Sequence, residues 1–172
     1  MSKTKHLLPP VEILREAFSI EPHEGRLIRR VATKHCAVGE EAGYSNSIGY
    51  RQVAFGGKIH SVHRIAWALY YGEHPAGEVD HINGDRSDNR LCNLRLATSS
   101  QNNQNRRLCS RNRSGVKGVF RVKQWNDGSI WRVSIGHSGS KYYIRHFHCF
   151  GQAVKHSREM RAKLHQEFAR AA

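Results

Sequence analysis

The segment Val79-Asp80-His81-Ile82-Asn83-Gly84-Asp85-Arg86-Ser87-Asp88-Asn89-Arg90-Leu91-Cys92-Asn93-Leu94-Arg95-Leu96-Ala97-Thr98 runs directly into Ser99-Ser100-Gln101-Asn102-Asn103-Gln104-Asn105. Val79–Ile82 reads as a short strand, Asn83-Gly84 opens a loop dense in turn formers, and Leu94–Ala97 reads as the return strand. Thr98 and Gln101 stand at capping-box spacing, which starts a helix near Ser99. Asn102 then falls in the first turn, where its amide can point back toward the hairpin. The segment is therefore a strand–loop–strand–helix unit with Asp80 and His81 on its first strand.

Charge is distributed around this segment in blocks. From Glu78 to Asn89 four acids (Glu78, Asp80, Asp85, Asp88) face one base, Arg86, whereas Ser99 to Trp125 contains seven bases and no acid. An acidic pocket beside a cationic track suits a metal-dependent enzyme acting on a polyphosphate, because the cation must be held before the phosphate arrives. The whole chain of 172 residues carries 28 Lys+Arg against 14 Asp+Glu, a formal charge of +14. Such a surface attracts polyanions, and nucleic acid ranks before membrane. A membrane span needs ~20 apolar residues, and mean hydropathy is −0.65 with no long apolar run. Pro9 and Pro10 follow the basic N-terminus after two leucines, which leaves no apolar signal core and implies an intracellular protein. Cys36, Cys92, Cys109 and Cys149 form no C-x-x-C pair, so they read as free thiols and no structural zinc is expected.

Working outward toward the N-terminus, residues 1–60 carry short β-like runs, Arg26–Val31 and Tyr50–Phe55, the latter closed by the hairpin signal Gly56-Gly57. Ser61 caps a short helix whose apolar residues Ile65, Ala66, Leu69 and Tyr70 precede the stops Gly72 and Pro75. Toward the C-terminus, residues 108–115 are polar and basic and read as a linker. Three alternating runs follow, Gly118–Trp125, Ile130–Gly136 and Lys141–Phe147, separated by Asn126–Ser129 and His137–Ser140. They predict a three-stranded antiparallel meander. A helix over Gly151–Ala169 covers it with Ala153, Val154, Met160, Leu164 and Phe168. The expected fold is α+β, divided into 1–60, a core at 61–107, a linker at 108–115 and a terminal module at 116–172.

The middle segment resembles the HNH homing endonucleases of the intron- and phage-encoded branch, in its Val-Asp-His-x-Asn-Gly start, its Asn93-Leu94-Arg95 and its Asn-rich helix start. The likeness covers His63 to Asn105, including the Val62-His63-Arg64 approach. It implies a ββα-metal core that hydrolyses a DNA phosphodiester with one divalent cation. Carried onto this chain, it puts Asp80 and Asn102 on the metal, His81 at the attacking water, and Asn93 in the role of bracing the loop and orienting the histidine. A carboxylate and an amide are oxygen donors, which suit Mg²⁺ or Mn²⁺. A neutral imidazole can take a proton from water near neutral pH. Relatives with a second histidine ligand differ from this helix, which offers Asn102, Asn103 and Asn105.

Residues from Ser114 on resemble the DNA-binding domain of plant ethylene-response factors, through Ser114-Gly115-Val116-Lys117-Gly118-Val119 and Trp131-Arg132-Val133-Ser134-Ile135. The resemblance implies a sheet laid in the major groove with the helix behind it. Alternation sends Trp131, Val133 and Ile135 inward and Arg132 and Ser134 outward; likewise Tyr142 and Ile144 inward, Lys141 and Tyr143 outward. Those outward residues, with Lys117 and the track Arg106, Arg107, Arg111 and Arg113, are the DNA-contact candidates. In the family register Phe120 and Val122 would face DNA; a bulge or a reversed register would expose Arg121 and Lys123 instead. The expected function is a site-specific endonuclease on double-stranded DNA in a bacterial or phage-infected cell, with no membrane partner and a monomer as the default state. The competing expectation is a DNA-binding regulator that does not cleave.

Overall fold

The computed structural model describes residues 7–106, 108–122, 130–137 and 141–169. They form a mixed α/β protein of four α-helices and four small antiparallel sheets, divided into two compact units, Met1–Ala97 and Thr98–Ala172.

The first unit opens with α1 (Val11–Ala17), which buries Val11, Leu14 and Ala17. Hairpin β1 (Phe18–Glu21) and β2 (Arg26–Arg29) follows, then a three-stranded meander of β3 (Tyr44–Ser45), β4 (Arg51–Phe55) and β5 (Lys58–Ser61). Gly56 and Gly57, both at positive φ, make the tight β4–β5 turn that strand twist favours. Helix α2 (Val62–Tyr71) ends on Gly72 in the left-handed conformation and buries Val62, Ile65, Ala66, Ala68 and Leu69. One cluster joins Leu8, Leu14, Phe18, Leu27 and Val53 to Val62, Ile65 and Ala68 of α2. The expected division between residues 60 and 61 therefore runs through a shared core. A second cluster joins Ala66 and Trp67 of α2 to Val79 of β6 (Glu78–His81) and Leu94 of β7 (Leu94–Ala97). Through it α2 supports the hairpin from behind.

The second unit begins with α3 (Ser99–Asn105). Its capping box is complete: Gln101 N–H donates to Thr98 Oγ1 at 3.2 Å, and Thr98 N–H to Gln101 Oε1 at 2.8 Å. β8 (Val119–Val122), β9 (Ile130–His137) and β10 (Lys141–Phe147) form a sheet in the order β10-β9-β8, and α4 (Phe150–His165) packs on it before a 3₁₀ turn at Gln166–Phe168. Val119, Val133, Ile135 and Ala153 are its fully buried core. The expected turn at Asn126–Ser129, and Ser138–Ser140 of the next, lie outside the described residues. Residues 108–115 are less of a linker than expected: Ser114 Oγ donates toward Val119 O at 2.7 Å, and Asn112 Nδ2 to Val116 O at 3.0 Å. Their side chains tie the segment to the start of β8.

The face assignment of β10 needs correction. Tyr143 pairs with Ile135 and Phe147 with Trp131, so these residues share the inward face; Tyr143 Oη meets Nε2 of His156 on α4 at 2.7 Å. Tyr142 and Ile144, expected inward, are 65% and 54% exposed. Pairing register with β9 sets the phase of the strand, and apolarity of single residues does not. In β8 the register pairs Phe120 with Arg132 and leaves both outward, with the Arg132 guanidinium 5.5 Å from the Phe120 ring centroid. Phe120 faces outward, and the pairing of Val119–Val122 with β9 is continuous, without a bulge; Lys123 lies outside the described residues.

Candidate active site

Strand β6 is short and buried at Val79, Asp80 and His81, so its polar side chains must be satisfied within the protein. Register pairs Asp80 with Arg95 of β7; Arg95 Nε donates to Asp80 Oδ2 at 3.0 Å, and Nη2 lies at ion-pair distance from the same oxygen, 3.0 Å. His81 lies at the strand end, with Nε2 and Asn89 Oδ1 3.1 Å apart.

The loop between the strands is held by its own side chains. Asn83 Oδ1 accepts from Asp85 N–H at 2.8 Å, and Asp85 Oδ1 accepts from the N–H and hydroxyl of Ser87. Asp88 accepts two hydrogen bonds from the Arg90 guanidinium and one from Asn83 Nδ2, and chiefly the Arg90 bonds hold its carboxyl down at about 2. Asn93 spans the loop: Oδ1 accepts from Asn83 N–H at 3.0 Å and Nδ2 donates to Asp88 O at 2.8 Å. Asn93 thus braces the loop, whereas the side chain bonded to His81 is Asn89.

The N-terminal elements form the wall behind this loop. Leu91 N–H donates to Pro22 O at 3.1 Å, and Gly25, at φ +73°, lies so close to the backbone that a Cβ there would sit 2.5 Å from the Asn89 carbonyl carbon. Arg86 donates to Ile48 O at 2.9 Å and stacks on Tyr50, 4.8 Å from its centroid. Tyr50 packs on both His63 and His81, and the two imidazoles meet edge to face at 5.0 Å. Burial, with the neighbouring His81 and Arg64, pushes His63 down to about 3. Burial also lowers His81, opposed by the Asn89 hydrogen bond and the charges of Asp80, Asp85 and Asp88. Both shifts favour the neutral imidazole over the charged one.

The remaining expected residues fall in the second unit. Asn102 lies in the first turn of α3. Arg106, Arg111, Arg113 and Arg132 are exposed and Ser134 is half-buried on the outward sheet face. Lys117 Nζ donates to the backbone carbonyls of Gln104 and Arg106 at the end of α3. Tyr143 is inward, as described. Arg107 and the side chain of Lys141 lie outside the described residues. Among the described residues no three His, Cys, Asp or Glu side chains cluster to hold a metal.

Sequence reasoning missed Asn89, Tyr50 and Gly25. Asn89 sits among Asp88 and Arg90 with nothing in residue type to set it apart from Asn83 or Asn93, and Tyr50 and Gly25 are brought in from far along the chain.

A two-stranded hairpin bearing Asp-His, braced by a central Asn and followed by a capped Asn-bearing helix, defines a nuclease of the HNH class. The chain belongs to the HNH endonuclease family: the family described as "HNH endonuclease" matches residues 60–104. It is similar to Protein 3.8 of Escherichia phage T7, 31% identical over 109 residues that cover 63% of this chain and 87% of that protein. No solved structure gives a significant match. Family membership implies DNA as the substrate. No helix among the described residues is long and apolar enough to cross a membrane.

Proposed function

We propose that the protein is a site-specific DNA endonuclease of the homing type, using one divalent cation, Mg²⁺ or Mn²⁺, held by Asp80 and Asn102. The observation that carries this reading is Asp80 and His81 side by side on one buried strand, each with its own hydrogen-bonding partner, Arg95 and Asn89. The donor set fits a hard cation: Asp80 is a carboxylate buried to 6% exposure, and Asn102 offers an amide oxygen. When bound, the cation polarises the phosphate and stabilises the leaving 3′-oxygen. Arg95 aims the Asp80 carboxylate through its Nε hydrogen bond. His81 takes a proton from water as the water oxygen bonds to phosphorus; the P–O3′ bond breaks, and the 3′-oxygen takes its proton from solvent. Asn93 keeps the loop closed during the step.

The terminal unit is proposed to read DNA in the manner of an ethylene-response-factor domain. Supporting this are the sheet with α4 packed on one face and the outward row Phe120, Arg132 and His146. Arg106, Arg111 and Arg113 would follow the phosphates, which position without specifying sequence.

The test is incubation of supercoiled plasmid with the protein, with Mg²⁺, Mn²⁺ or a chelator, for the parent and Asp80→Ala. Nicked or linear product that needs the cation and vanishes in Asp80→Ala is expected. Cleavage that persists in chelator, or that ordinary Mg²⁺ restores in Asp80→Ala, would overturn the proposal.

A further inference from the structure

The hydrogen bonds around Asn89 leave its amide one orientation. Nδ2 donates to Ser87 O at 3.2 Å, and a carbonyl oxygen can only accept, so the amide nitrogen must face Ser87 and Oδ1 must face His81. Oδ1 carries no proton. The 3.1 Å bond to His81 is then donated by Nε2–H, and a neutral imidazole has only one N–H. We propose that Asn89 is the positioning residue that holds His81 as its Nε2–H tautomer, placing the proton-accepting lone pair on Nδ1. This rests on the reading of His81 as the base.

Three observations support the assignment independently of the bond itself. Asn89 is 1% exposed, so water does not compete for Oδ1. Its backbone is pinned from outside the loop by the close approach of Gly25 and by the neighbouring Leu91–Pro22 hydrogen bond. The His81 ring is flanked by His63 and Tyr50, with centroids at 5.0 and 5.9 Å, which limits its rotation away from Asn89. Asn93 is not placed to substitute, because both ends of its amide are engaged by Asn83 N–H and Asp88 O. The two asparagines therefore have separate roles, Asn93 setting the loop and Asn89 setting the ring.

The test is ¹⁵N NMR of the full chain labelled at histidine, at mildly alkaline pH, with the His81 signals assigned by their loss in His81→Ala. A pyrrole-type Nε2 and a pyridine-type Nδ1 are expected for the parent. Asn89→Ala should show mixed tautomers and a kcat on plasmid DNA lowered by about 10²-fold, with KM unchanged, because the ring no longer waits in the productive form. Asn89→Asp keeps an acceptor in the same place and should restore the Nε2–H signal and a large part of kcat. An Nδ1–H signal in the parent, which needs no variant to fold, would overturn the proposal, as would a folded Asn89→Ala with unaltered tautomer and kcat. Full cleavage by His81→Ala would instead overturn the base assignment, while the ring signals still decide what Asn89 does.

Discussion

The two units bury polar side chains in different ways. In the first, His81, Asn89 and Asn93 gather around one loop and bond to one another or to the loop backbone, Asp80 beside them is held by Arg95 of β7, and His63 packs behind. In the second, Ser157, Arg161 and His165 recur every fourth residue along the buried stripe of α4; Ser157 donates to Lys117 O, and His165 Nε2 lies 2.8 Å from Gly136 O. The second pattern ties a helix to its sheet. The first has no such structural dividend: an apolar hairpin end would pack against α2 without the cost of desolvating a carboxylate and two imidazoles. Side chains that orient one another within a loop mark chemistry, whereas side chains that reach backbone carbonyls from a helix stripe mark packing.

The sharpest way to break this comparison lies outside the loop. Gly25→Ala would put a Cβ into the Asn89–Arg90 backbone at a left-handed position, where strain adds to the clash. It should cost about 3 kcal/mol in denaturant unfolding and lower cleavage by disturbing Asn89. A stability and activity equal to the parent would show that the β1–β2 turn does not buttress the loop.

A second effect follows from pH. His63 titrates at about 3 in the folded chain against an ordinary 6.5, so the unfolded chain takes up the proton first as pH falls. Its contribution to stability is complete above 6.5 and drains by about 1.4 kcal/mol per pH unit on the way down to the folded value. The groups facing it are His81 of β6, Tyr50 from the start of β4 and Arg64 beside it on α2. Urea titrations between pH 7 and pH 5 should therefore give a flatter profile for His63→Gln than for the parent, and parallel profiles would contradict the burial argument.

The smallest effects test the two faces of the terminal sheet. Arg132→Ala should leave stability within ~0.5 kcal/mol, since it faces outward, but flatten the salt dependence of DNA binding by about 0.9 log unit for each phosphate it no longer neutralises. Tyr143→Phe should do the reverse, costing about 1 kcal/mol through removal of the His156 bond with unchanged DNA affinity. Binding isotherms over a salt series, beside thermal melts, separate the two. Weakened DNA binding by Tyr143→Phe would undo the face assignment.

The legible parts of the sequence are those whose signals are local. Thr98 and Gln101 define the α3 capping box by spacing alone, Gly72 stops α2, and the apolar pairs flanking the Asn-rich loop mark β6 and β7. What stays hidden depends on pairing across distance. Tyr143 and Tyr142 are chemically alike, and only the register with β9 decides which one meets α4. Helix α1 escapes sequence reading because seven residues after Pro9-Pro10 give too short a period, although Val11, Leu14 and Ala17 are its buried face. Asn89 and Asn93 are the same residue type four positions apart, and the loop's hydrogen bonds alone distinguish the one that meets His81. The packing of α2 in both the N-terminal core and the hairpin core is hidden for a related reason, since it joins residues far apart in the chain.

The central claim is that His81 performs the proton transfer and not the binding. Cleavage of plasmid DNA with Mg²⁺ and affinity for the same DNA without cation should be measured in parallel for the parent and His81→Ala. A general base contributes ~10²–10⁴-fold to rate and little to ground-state affinity. The variant should therefore bind as the parent does and cleave at least about 10²-fold more slowly. Equal cleavage by the two proteins would contradict the account.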